Sequence, residues 1–411
     1  MRKLDPYELL RPIYKQGPLS RIELARLAKA APSHVGAVTR EAINAGLLIE
    51  RGFAPSTGGR RGLSLSVNPG LAHLMGIDMG RSNTSIVVTD FAGSVLAHDW
   101  FPTAPSRGRD EMLEALHGEV QARITRFPSI AAIGIAHSGV VDSRAGKVLL
   151  WPMVEGWKDT PLRQIFEDKY GLAVSVEDRV RAMAIAEQRA GHWAGLHNFV
   201  LVYVGTGIMS AIFIDGHLHG GRDGLAGELG HTTVIENGEP CSCGNRGCLE
   251  RYSSAAAIMA RVRKEIERGV DSSLSPSSNA HPEEISVEAI VSAAQAHDRL
   301  AERFLSEAGT YLGTALASVV NLLNPERIIL TGRVPQTSGD LLLRPLIYNL
   351  RQRALPKAIE NLPVVISKLG DEAAAVGISH AAGAEVFKAR CRAMGENGSL
   401  LPDSPAIRAD V

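Results

Sequence analysis

The chain has 411 residues, 45% hydrophobic and 21% charged, with Lys+Arg and Asp+Glu balanced at 44 each; this describes a globular protein too long for one core of usual size, so two or three domains are expected. No run of roughly 18 apolar residues and no basic-then-apolar leader is present, which excludes a membrane span and points to a cytoplasmic protein. Four cysteines, three of them clustered at 241, 243 and 248, exclude a disulfide framework.

The balanced charge hides an asymmetry. Residues 1–70 carry 11 Lys+Arg against 5 Asp+Glu, leaving 33 against 39 for the rest, so a basic amino-terminal module sits on an acidic body and a polyanion partner is expected for the module alone. Within it, Leu9, Leu10, Ile13 and Tyr14 have helical spacing, and Gly17-Pro18 ends that segment. Ser20-Arg21-Ile22-Glu23 has the form of a capping box opening a second helix. After the turn at Ala30-Ala31-Pro32, Ser33 is placed to cap a third helix, with Val35, Val38, Ala42 and Ile43 inward and Ser33, His34, Gly36, Ala37, Thr39 and Arg40 on or near the outer face. Two short helices across a tight turn are the helix-turn-helix layout, whose second helix reads the major groove of duplex DNA. Residues 47–51 and 63–67 then read as two β-runs joined by a glycine-rich tip that carries Arg60 and Arg61, a wing suited to phosphates or a narrow minor groove. The competing reading is a small packing or dimerisation module with a solvated loop.

From His73 the pattern changes to apolar strands and glycine turns. Residues 74–90 read as a β-hairpin whose turn carries Asp78 and Gly80; a helix over 112–124, a strand over 130–135 and the turn His137 to Asp142 follow. The stretch 174–187 reads as a strand running into a helix through Glu177, Asp178 and Arg179 to Glu187. Residues 199–204 form a buried strand ending in Gly205-Thr206-Gly207, with a hairpin partner after it.

Next come Gly227-Glu228-Leu229-Gly230-His231 and Cys241-Ser242-Cys243-Gly244-Asn245-Arg246-Gly247-Cys248-Leu249-Glu250. Three thiols this close, with glycines that let the backbone wrap an ion, suit tetrahedral zinc in a structural role, the fourth ligand coming from the upstream stretch. On spacing alone a disulfide or a reduced buried cluster competes. The remainder reads as a helical stretch over 253–268, a polar loop over 271–282, a long apolar helix over about 301–323, a strand over 327–331, a last helix to about Met394, and a disordered tail over 395–411.

These motifs together resemble the ROK family of sugar-responsive repressors and sugar kinases, over about residues 75–383, with the amino-terminal segment resembling the winged helix that the family's repressors carry. The resemblance implies an α/β chain: a winged helix-turn-helix domain over 1–70, then a two-lobed actin-like, sugar-kinase-type fold over 71–390 serving as effector and oligomerisation domain. It implies zinc held by His231, Cys241, Cys243 and Cys248. It also places an effector against Glu228, His231 and Glu250, with the turn containing Gly139 and the positions Asp178 and Arg179 completing the effector set. The family's kinases read E-N-D where this chain has Glu177-Asp178-Arg179, so Arg179 replaces the general base, and arginine stays protonated near neutral pH. Arg81 and Met209 replace glycines of the two phosphate loops, and Arg333 one glycine of the adenosine turn. ATP is therefore not expected to bind, and Arg179 is expected to pair with Glu228 or Glu250 or to await an anionic ligand. The implied function is a DNA-binding transcriptional regulator, a repressor, acting as a homodimer or homotetramer on a double-stranded operator and answering to a sugar or sugar derivative. An ATP-dependent sugar kinase is the alternative.

Overall fold

A computed structural model describes residues 5–53, 63–152, 154–190, 195–275 and 285–396. The expected wing tip with Arg60 and Arg61, most of the polar loop over 271–282 and nearly all of the expected tail lie outside these residues. The chain divides into two compact units, residues 1–195 with 369–411 and residues 196–368.

The first unit opens with the winged helix. Asp5 caps the helix Pro6–Gln16, which ends at Gly17 with φ +88°. The capping box forms as expected, Ser20 and Glu23 bonding reciprocally at the start of the helix Arg21–Leu27. The third helix, Pro32–Asn44, differs in one detail: it begins on Pro32 with Ala31 as a cap that has no side-chain bond. Proline needs no amide partner at that position, so Ser33 is left free to face outward. Strand Leu63–Val67 then pairs between Leu19–Ser20 and Leu48–Phe53.

Behind this module lies a five-stranded sheet in the order Ala173–Asp178, Ile130–His137, His73–Met79, Asn83–Asp90, Val95–Pro102. Its first three strands run parallel, and the last three form an antiparallel meander. The second unit repeats this plan. Its meander is Phe199–Val204, Ile208–Ile214 and His217–Leu218, and the parallel strands Arg327–Thr331 and Val364–Ile366 extend from Phe199–Val204. Two sheets with one topology in one chain are the duplicated architecture expected of an actin-like kinase fold.

The winged helix is not a separate bead. Leu9, Leu10, Ile13 and Tyr14 belong to one buried cluster with Leu74 and Phe91 of the sheet hairpin and with Ala382, Phe387 and Cys391 of the closing helix Ala373–Glu396. Tyr14 stacks on Phe387 with centroids 5.0 Å apart, meets Phe91 edge-on at 5.8 Å, and its hydroxyl donates to the His380 carbonyl at 2.8 Å. The Arg189 guanidinium lies 3.9 Å from the same ring centroid, a cation–π contact in a largely desolvated place.

Candidate functional site: reading helix, Arg179 pocket and metal cluster

On the third helix Ser33, Ala37 and Arg40 are exposed and His34 and Gly36 half-exposed, as a groove-reading face requires. Thr39 is a correction. It is fully buried, its hydroxyl donating to the Val35 carbonyl at 2.8 Å and accepting from Arg21 Nε at 3.1 Å. At helical spacing it falls on the boundary of the apolar stripe Val35–Val38–Ala42, and the bond to Arg21 turns it inward to tie the two helices together. Arg21 also pairs with Glu50 at 2.8 Å, which fixes the second helix to the wing strand Leu48–Phe53.

In the first unit's sheet, Asp78 is the penultimate residue of the strand His73–Met79 and is 3% exposed. Arg179 opens the helix Arg179–Ala190, and its Nε reaches both Asp78 oxygens, at 2.8 and 2.9 Å. The sequence pointed instead to Glu228, Glu250 or an anionic ligand, because Asp78 lies 101 residues away in the chain. Burial pushes the Asp78 carboxyl upward against the pull of Arg179, so removing the guanidinium would leave a desolvated acid without its main counter-charge. Asp178 is the helix cap: its Oδ1 accepts from the Val180 amide at 2.7 Å and the Arg181 amide at 3.0 Å. Burial nevertheless raises its carboxyl to about 7. Glu177 accepts from Ser143 at 2.5 Å and pairs with buried Arg181 at 3.5 Å.

Gly139 is buried, and its amide donates to His137 Nδ1 at 2.8 Å. A Cβ there would lie 2.6 Å from the Leu150 carbonyl oxygen, so glycine is required by packing. His137 sits between Trp151 and Trp157 at 4.6 and 4.7 Å, and burial lowers its pKa to about 3, leaving a neutral ring.

In the second unit the Gly227–His231 stretch lies tightly on strand Ile208–Ile214. Gly227 has φ +104°, and a Cβ on it would come within 1.9 Å of the Ser210 carbonyl oxygen, so only glycine lets the loop approach. Glu228 is exposed, and Glu250 Oε2 accepts the Ile208 amide at 2.8 Å beside Gly207. His231, Cys241, Cys243 and Cys248 bring one ligand atom each to within 4.8 Å of one another. Cys243 and Cys248 sulfurs are 3.7 Å apart, and Cys241 sulfur is 3.6 Å from His231 Nδ1. For bonds of about 2.3 Å the edge of a ligand tetrahedron is roughly 3.8 Å, so both pairs are spaced to share one ion. All four cysteines are free thiols. The disulfide reading fails on these separations, which are far beyond the roughly 2 Å of an S–S bond.

The turn after strand Arg327–Thr331 carries a further ion pair. Gly332 has φ +97°, and Arg333 after it pairs with Glu288 through two guanidinium nitrogens. Among the described residues no helix is long and apolar enough to cross a membrane.

Comparison with known proteins agrees with this geometry. The ROK family model matches residues 74–384. A xylose repressor of Caldicellulosiruptor bescii is 30% identical, with 92% of this chain and 94% of the repressor covered. The DNA-binding transcriptional dual regulator NagC of Escherichia coli K12 is 32% identical, with 92% and 91% covered. A solved ROK transcriptional regulator, a homolog of the E. coli MLC protein, covers 95% of this chain and 99% of its own at TM-score 0.80 and 29% identity. A ROK glucokinase of Streptomyces griseus, solved with glucose and AMPPNP, covers 75% of this chain and 99% of its own at TM-score 0.63 and 28% identity. The match to the regulators covers enough of the chain to extend into the winged helix, and that to the kinase covers a smaller share; in sequence and in fold, this chain belongs to the ROK family.

Proposed function

We propose that the protein is a transcriptional repressor that binds an operator through residues 1–70 and responds to a sugar or sugar derivative through residues 71–390, without transferring phosphate. The observation that carries this reading is the Arg179–Asp78 pair. A phosphotransferase of this fold needs a carboxylate base for the sugar hydroxyl and an acidic side chain at the first phosphate loop. Here the base position holds a guanidinium, and that guanidinium engages the loop acid.

Ser33, His34, Gly36, Ala37 and Arg40 are the proposed base-edge and phosphate contacts of the reading helix, with Arg60 and Arg61 of the wing on flanking phosphates. Gly139, Asp178 and Arg179 of the first unit and Glu228, His231 and Glu250 of the second are the proposed effector residues. Zinc fits the cluster of one histidine and three cysteines, because three thiolates and one imidazole in a closed tetrahedron are its structural donor set. Held through Nδ1, His231 would keep Nε2–H as a donor for an effector hydroxyl, and the ion would brace the loop that carries Glu250. We infer a homo-oligomer, since a palindromic operator calls for two reading helices.

Coupling follows from the helix Arg179–Ala190. Its first turn holds the proposed effector contacts, and about 15 Å along its axis its last turn places Arg189 on Tyr14 of the winged helix. A shift at Arg179 is thereby passed to the DNA-reading module through one rigid element.

The test is phosphotransfer. The wild-type protein, and an Arg179→Asp variant in which the base is restored but Arg81 and Met209 remain, are expected to leave ATP unconsumed with every hexose and pentose tried. Sugar-dependent ATP turnover by the wild-type protein would establish the kinase reading in its place.

A further inference from the structure

The second unit contains a feature that DNA reading does not use and that the proposed effector residues share only through Glu250. Helix Ala255–Glu267, the cysteine loop and the start of helix Arg299–Leu323 enclose a cleft of about 780 Å³. Six cationic side chains line it: Arg246, Arg251, Arg261, Lys264, Arg268 and Arg303. Three carboxylates accompany them, and two are already engaged, Glu265 with Arg268 at 2.8 Å and Glu250 with the Ile208 amide. Arg303 pairs with Glu307 outside the lining. Among the described residues, Arg246, Arg251 and Lys264 enter no ion pair.

Arg261 is the built part. Its guanidinium lies 4.6 Å from the Phe304 ring centroid and 5.5 Å from that of Tyr252, and one terminal nitrogen reaches Glu307. The other terminal nitrogen, Nη1, is buried with no hydrogen-bond partner among the described residues. A buried, charged N–H donor without an acceptor is unfavourable, and Arg261 adds its charge to a cleft already lined by other cations. The sequence puts the charges there by helical spacing: Arg261, Lys264 and Arg268 fall at i, i+3 and i+7, and Ala257 and Ala260 on the same side leave room.

We propose that this cleft is an anion site that takes the phosphate group of a small metabolite. A phosphate monoester brings three acceptor oxygens and nearly two negative charges, which matches the exposed point charge of Lys264 and the exposed guanidiniums of Arg246 and Arg251, with the charge of Arg261 behind them. A neutral sugar would leave those charges uncompensated.

Inorganic phosphate is the probe. The full chain is titrated calorimetrically at constant ionic strength in chloride, alongside Arg251→Ala and Lys264→Ala, whose exposed side chains can be removed without opening a core. Saturable binding with a dissociation constant below about 1 mM, weakened roughly tenfold or more in each variant, is expected. Absence of saturation up to ~20 mM, equal affinity in both variants and wild type, or affinity for duplex DNA alone would overturn the proposal. Operator affinity of both variants in phosphate-free buffer, expected within about threefold of wild type, separates failure of this site from failure of the DNA reader.

Discussion

Replacing Tyr14 probes how the winged helix is fixed to the first unit. The ring is 4% exposed, contacts Phe387, Phe91 and Arg189, and bonds the His380 carbonyl. Tyr14→Phe removes only the hydroxyl and its bond to a carbonyl that lies inside the helix Ala373–Glu396, a loss of about 1 kcal/mol. Tyr14→Ala empties an aromatic site, worth roughly 3–5 kcal/mol, and removes the cation–π contact of Arg189, worth about 1 kcal/mol more. Against a total stability of roughly 5–15 kcal/mol for a domain, the alanine variant should detach the first helix or unfold the unit. Urea unfolding followed by circular dichroism, with limited proteolysis between residues 16 and 20, reads both outcomes. An alanine variant within about 1 kcal/mol of wild type would refute the shared core. For the same reason a chain cut at residue 70 should expose Phe387 and Phe91, and it is a poor soluble fragment unless the closing helix is repaired.

Asp178→Asn keeps the cap and removes the buried charge. Because the folded carboxyl is raised to about 7, its favourable contribution is complete below the unfolded value near 4 and is lost as pH rises toward 7. The asparagine variant should therefore match wild type near pH 4 and gain stability up to pH 7–8, by at most roughly 4 kcal/mol; an unchanged difference between the two proteins at pH 5 and pH 8 would count against a buried acid. Cys243→Ser should abolish the binding of one zinc per chain, lower the melting temperature and make the fold insensitive to chelator, whereas a metal-free wild-type protein of undiminished stability would remove the metal from the account. Thr39→Val should lower stability by about 1 kcal/mol with operator affinity unchanged, while Arg40→Ala should weaken the operator about tenfold and leave stability alone; a reversed pattern would return Thr39 to the reading face.

The parts of this protein governed by short-range rules were legible in its residues. The Ser20–Glu23 capping box, the hairpin that carries Asp78, and the His231–Cys248 cluster all lie within short stretches of chain, and each forms where the pattern put it. Thr39 was misplaced because helical periodicity assigns faces but not partners; a single bond from Arg21, 18 residues upstream, decided its direction. The partner of Arg179 depends on the parallel pairing that brings strands 73–79 and 173–178 into one sheet around Ile130–His137, a long-range fact that no local pattern carries. The same holds for Tyr14, whose contacts come from residues 91, 189, 380 and 387, and for the basic cleft, whose cations are spread from position 246 to 303.

The central claim, that a kinase-like body with a blocked base governs a DNA reader, is tested most directly by operator affinity. Duplexes selected from a random library would be titrated with the full chain at fixed salt, alone and with each of a panel of pentoses, hexoses and their derivatives, while ATP is monitored in parallel. At least one sugar is expected to change the dissociation constant tenfold or more, about 1.4 kcal/mol, with no ATP consumed. Operator binding that no sugar shifts, or a sugar that shifts it only while ATP is being hydrolysed, would contradict it.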